Sequence, residues 1–183
     1  MRILCATQIF AAMLVLLLSP NLAAGIECPP ENEARYIADL SDQQLQQDDP
    51  DAYAEAILCL GKLESVAAVN SLVSLIDYRR SFNSQQSFNE TLSQGMITRR
   101  VLYPSVRALS DIGRPALPSV ANALARNEVG TESHESAVDI FKTFFWGTRA
   151  EGSAYLEIEA AGPQRTELER ERLLAAAKRL AKE

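Results

Sequence analysis

Residues Val101–Arg126 read VLYPSVRALSDIGRPALPSVANALAR, two short apolar-striped segments divided by Gly113-Arg114-Pro115. Leu102, Val106, Leu109 and Ile112 recur at helical spacing in the first segment, and Leu117, Val120 and Leu124 in the second. A half-buried strand would alternate every second residue, so the spacing predicts two helices back to back around a tight turn. A looser copy lies upstream in Ala54–Asp77, AEAILCLGKLESVAAVNSLVSLID. Setting Gly61 on Gly113 pairs Ala56 with Ala108, Ile57 with Leu109 and Leu60 with Ile112. Past the turn, Ala68-Val69-Asn70-Ser71-Leu72 falls on Ala116-Leu117-Pro118-Ser119-Val120, the upstream turn being four residues longer.

A helical hairpin carries one apolar stripe for its own partner helix and another for the next hairpin, so one unit cannot cover itself. Tyr53, Ile57 and Leu60 give the upstream copy its first stripe, and Val66, Val69, Val73 and Ile76 its second. The run Arg107-Ala108-Leu109-Ser110-Asp111-Ile112-Gly113-Arg114-Pro115-Ala116-Leu117-Pro118 resembles the first-helix end, turn and second-helix start of a HEAT-like repeat. Ile57–Gly61 with Ala68–Leu72 is similar. The resemblance implies an all-α fold, a short right-handed α-solenoid of about three hairpins, near 49–77, 96–127 and 132–182. It also implies a concave, partner-binding face lined by the second helices, and it brings no shared catalytic residues.

Met1–Gly25 has the layout of a secretory signal peptide: Arg2, an apolar run over Ile9–Leu18, then Ser19-Pro20 and small residues up to Ala24 and Gly25. The apolar run is shorter than the roughly 20 residues that span a bilayer, which favours cleavage after Ala24 or Gly25 over a retained anchor. Residues 26–183 then form a single secreted or periplasmic domain. Cleavage removes Cys5 and leaves Cys28 and Cys59, which in an oxidising compartment are expected to form one disulfide. It would close a loop worth about 3 kcal/mol in the chain-entropy model.

The chain carries 18 Lys and Arg against 24 Asp and Glu, a formal charge of −6. Its distribution is uneven. Between Ile26 and Ile57 nine acids face Arg35 alone, whereas Arg79–Arg126 holds seven arginines against Glu90 and Asp111. The acidic total and the export signal argue against a nucleic-acid partner. Arg79, Arg80, Arg99, Arg100 and Arg107 are the candidate partner-binding residues, the partner being another exported protein.

Glu31–Gln47 starts helical on Ala34, Ile37 and Ala38, and its Gln-rich end is polar enough for a loop. Asp49-Pro50 starts a helix that Gly61 ends, with Ser65 capping the next. Tyr78–Gly95 is a polar insert containing the glycosylation acceptor Asn89-Glu90-Thr91. The helix after it is expected to be continuous but kinked at Pro104. Thr131 or Ser133 caps a helix on Val138, Phe141 and Phe145, widened by Phe144 and Trp146 into what reads as core. Thr148–Gly162 reads as a linker with one helical turn at Tyr155–Ala160. Pro163 opens a final helix with an Arg165–Glu169 pair.

No residue set carries an evident reaction. His134, the single histidine, sits among Glu132, Ser133 and Glu135 and reads as solvated. No G-x-S-x-G elbow or Gly-rich phosphate loop is present, and two cysteines with one histidine make no metal set. The expectation is a non-enzymatic scaffold or adaptor with no cofactor. The alternative is a periplasmic inhibitor or immunity-type protein whose acidic N-terminal third blocks an exported enzyme.

Overall fold

The computed structural model describes residues 26–81 and 99–182, and these are all-α. Met1–Gly25 and most of the polar insert, including Asn89, lie outside the described residues. Ten α-helices follow one another: α1 (Glu33–Asp39), α2 (Gln43–Asp48), α3 (Pro50–Lys62), α4 (Val69–Ser74), α5 (Arg99–Leu102), α6 (Pro104–Ile112), α7 (Leu117–Arg126), α8 (Glu132–Phe144), α9 (Arg149–Ala160) and α10 (Glu167–Lys182).

They pack as two rows. In one, α6 lies between α3 and α8; in the other, α7 lies between α4 and α10. Helices α1 and α2 cover α3, and α9 packs on α10. The shared interior is aliphatic and aromatic: Ile57, Leu60, Leu72, Val106, Leu109, Val120, Leu124, Phe141, Leu156, Leu173 and Leu180 are fully buried.

Helix starts follow local chemistry. Asp49 Oδ1 accepts from Ala52 N at 3.0 Å ahead of Pro50, and Thr131 Oγ1 accepts from His134 N at 3.4 Å. Gly113, at φ 76° and ψ −134°, turns the chain between α6 and the 3₁₀ turn Arg114–Ala116. That conformation suits a residue without Cβ.

Several expectations are corrected. Gly61 does not end a helix; it lies inside α3, where a Cβ would stand 2.6 Å from Ala108 Cα on α6. Its role is close helix approach, and the turn that follows passes through Glu64 at φ 51°. Ser65 donates to Glu33 Oε1 at 2.6 Å instead of capping. Val66 is exposed, so the second stripe starts at Ala68 and Val69. The face of α1 is Tyr36 with Leu40, not Ala34 and Ala38, which are exposed.

The Gln-rich segment is helical because Asp42 Oδ1 caps it through Leu45 N at 2.9 Å. Ahead of Pro104 the helix breaks rather than bends. Tyr103 sits at φ −119° and ψ 87°, outside the helical region that a following proline disfavours. The expected linker holds the full helix α9, which inserts an extra helix into the third hairpin. Finally, α10 opens at Glu167 through a capping box. Thr166 N donates to Glu169 Oε2 at 2.9 Å, and Glu169 N donates to Thr166 Oγ1 at 3.3 Å. Arg165 reaches Glu159 and Asn122 instead of Glu169.

Candidate functional site

The second row presents a groove of about 520 Å³ between α4 and α7. Asn70, Ser74 and Asp77 descend one wall at i, i+4 and i+7, while Ser119, Asn122 and Arg126 descend the other at i, i+3 and i+7. Val73, Ile76 and Ala123 lie between these polar edges, and Asn127 and Ser133 close one end. Each wall is the polar side of a helix whose other side is buried: Leu72 and Val69 on α4, Val120 and Leu124 on α7.

Side-chain hydrogen bonds border the groove, and one of them joins its two walls. Ser119 Oγ donates to Asn70 Oδ1 at 3.1 Å, and Ser133 Oγ donates to Asp77 Oδ2 at 2.9 Å. Arg165 Nη2 donates to Asn122 Oδ1 at 2.7 Å. Primary amides offer both donors and acceptors; Asn70 and Asn122 accept here through Oδ1, and Asn127 Nδ2 donates to the Ala123 carbonyl at 2.9 Å, so each keeps part of its capacity toward a ligand. Chemically, this is a surface for hydrogen-bonding a chain of alternating donors and acceptors.

The five arginines singled out from the sequence cluster around α5 and the start of α6, but carboxylates hold most of them. Arg80 Nη2 meets Asp51 Oδ1 at 2.6 Å. Arg99 pairs with Glu132 and, at 3.1 Å, with Asp139. Arg100 and Arg107 share Asp111 at 3.0 and 3.7 Å. Arg79 is exposed and acts on Tyr103 and Glu132. Hydrogen bonds from Tyr103 and then Arg99 hold the Glu132 carboxyl below the usual range, while burial lifts Asp139 despite Arg99 beside it. The arginine-rich middle is therefore held mostly by carboxylates of α6 and α8, Asp111, Glu132 and Asp139, and the acidic first third contributes Asp51 to it.

Cys28 and Cys59 stand at disulfide distance, Cα to Cα 5.2 Å, fastening the N-terminal strap to α3. His134 corrects the solvated reading: it is 1% exposed, because with Val138 and Phe141 it extends the buried stripe of α8 one turn back. Neither ring nitrogen has a hydrogen-bond partner among the described residues. Burial pushes its pKa down, partly opposed by Glu135, whose carboxylate is 3.8 Å from Nδ1.

Trp146 is corrected in the opposite sense. Phe141 and Phe145 are core, but Trp146 follows the end of α8, where Gly147 turns the chain at φ 84°, and is 79% exposed. A second cleft of about 520 Å³, lined by Leu117, Pro118, Phe145, Tyr155 and Ile158 with Arg114 and Glu151, lies between α7 and α9.

The groove lies on the second helices, where a partner-binding face was expected, but its polar wall residues were not singled out because they fall between the apolar stripes. Asn70-x₃-Ser74-x₂-Asp77 and Ser119-x₂-Asn122-x₃-Arg126 were the available signal. No family model, curated protein or solved structure matches the chain. Among the described residues, no helix is long and apolar enough to cross a membrane.

Proposed function

We propose that this protein is a non-enzymatic, exported binding module, and that the groove between α4 and α7 holds an extended segment of another exported protein. The observation that carries this reading is the groove itself: two polar helix walls, three asparagines and an aliphatic floor. An extended peptide alternates N–H and C=O groups, and side-chain amides can satisfy both. The two rows of helices support a short right-handed solenoid of the HEAT-like kind, in which such a groove is the inner face. Export rests on the signal-like Met1–Gly25 and fits the Cys28–Cys59 pair.

The test is peptide selection from a displayed library, followed by binding to Asn70→Trp and Ser74→Trp, which fill the groove from exposed positions on α4. Selected peptides should lose at least tenfold in affinity to both variants and nothing to Glu55→Trp, an exposed position on α3. Equal binding to all three would reject the groove.

A second reading, an inhibitor of a basic exported enzyme, draws on the cleft of about 390 Å³ where Asp39, Asp42 and Glu55 outnumber Arg35. A complex formed through that cleft would weaken steeply with salt.

A further inference from the structure

Four cationic side chains, Arg99, Arg100, Lys142 and Arg149, converge on a pocket of about 310 Å³ whose lining includes one carboxylate, Asp139. Trp146 and Thr143 complete it. Among these cations Arg149 stands apart. It forms no ion pair among the described residues, and its Nη1 is shut off from water without a hydrogen-bond partner. It is also the first residue of α9, where the helix dipole already places positive charge and Thr148 supplies no side-chain cap. A cation there is unfavourable unless an anion joins it. Its guanidinium carbon lies 5.3 Å from the centre of the Trp146 indole. Trp146 is 79% exposed, so flat apolar surface remains open beside the cations.

We propose that this pocket binds a small organic carboxylate carried on a ring, the carboxylate meeting the Arg149 guanidinium and the ring lying on Trp146. Guanidinium and carboxylate match as a two-pronged pair, which an ammonium cannot reproduce; with Nη1 shut off, the prongs are Nε and Nη2. The open indole selects for a ring over a bare anion, because a bare anion gains nothing from an aromatic surface. The volume sits at the small end of ligand pockets, which favours one ring over a long chain. Neither the groove between α4 and α7 nor its peptide contributes a residue to this pocket, so the proposal stands independently of that site.

Trp146 is the single tryptophan among five tyrosines, so fluorescence of the full chain excited at the red edge, where tyrosine does not absorb, reports this pocket. The titrants are galacturonate, benzoate, galactose and inorganic phosphate. A saturable change with the uronate or with benzoate, absent with galactose and phosphate, is the expected result. The tighter of the two carboxylates distinguishes an acidic sugar from an aromatic acid. Arg149→Gln should weaken binding at least tenfold, and Arg149→Lys should recover only part of it, with far-ultraviolet circular dichroism confirming that both fold. An equal response to phosphate or galactose would overturn the proposal. So would no response at millimolar carboxylate, or unchanged affinity in Arg149→Gln.

Discussion

Gly61→Ala is the substitution whose outcome the packing decides most sharply. A Cβ at this position would lie 2.6 Å from Ala108 Cα, 3.0 Å from Ala108 Cβ and 3.3 Å from its carbonyl oxygen. Carbon atoms rest at roughly 3.5–4.0 Å, so the overlap is about 1 Å against backbone that cannot rotate away. Helices α3 and α6 must separate, loosening Ile57, Leu60, Val106 and Leu109, all fully buried. Overpacking costs about 1–3 kcal/mol, and a backbone clash belongs at the upper end. Alanine returns about 1 kcal/mol through its better helix propensity. The net loss is about 2 kcal/mol, which for a chain of 183 residues lowers Tm by roughly 4–8 °C. Adding Ala108→Gly should recover little, because the nearest atom is the Cα and remains. Urea and thermal unfolding read by circular dichroism measure both. A Gly61→Ala protein as stable as wild type would refute the close approach of α3 and α6, and with it the packing of the first row.

Three further outcomes follow from named contacts. Reducing the Cys28–Cys59 pair, or replacing both with serine, should lower stability by about 3–4 kcal/mol through its 31-residue separation, and the reduced chain should migrate more slowly in a denaturing gel. Asp49→Ala removes the cap on Ala52 N and should cost about 1 kcal/mol in urea unfolding. His134 is held below its ordinary pKa by burial, so the unfolded chain takes up the proton first as pH falls. Its share of stability is complete above about pH 6.5 and is lost as pH drops toward the depressed folded value, with a slope of at most ~1.4 kcal/mol per pH unit for one proton. Glu135, Arg172 and Arg179 face the ring and shape where that loss begins, and His134→Gln should flatten the pH 5–7 stability profile.

The fold was legible where local chemistry and periodicity agreed. Asp49-Pro50, Thr131 and the Gly113 turn each combine a backbone requirement with a residue that meets it, and each is used as expected. Helix α9 escaped because its buried face is built partly from small residues, Gly152, Ser153 and Ala160 around Leu156, while Ile158 points outward. Gly152 sits under the Phe145 ring, where a Cβ would come within 2.8 Å; that is a tertiary fit no periodicity reveals. Gly61 failed for the same reason, being chosen by Ala108 across the interface and not by its own turn. His134 and Trp146 exchanged environments relative to expectation. Three polar neighbours hid the stripe shared by His134, Val138 and Phe141, and three phenylalanines lent Trp146 a core identity that the turn at Gly147 denies it. The arginine cluster was visible in the sequence. Arg107 and Asp111 pair at the readable i, i+4 spacing, whereas Arg99 and Asp139 lie 40 positions apart, and that pairing was not legible.

Site-specific photocrosslinking tests the groove between α4 and α7 most directly. A photoreactive residue at Asn70 or Ser74 should attach to one partner protein through an extended segment of its chain, while the same residue at Glu55 or Lys178 should attach to none. Adducts from Glu55 or Lys178 with silence from Asn70 and Ser74 would contradict it.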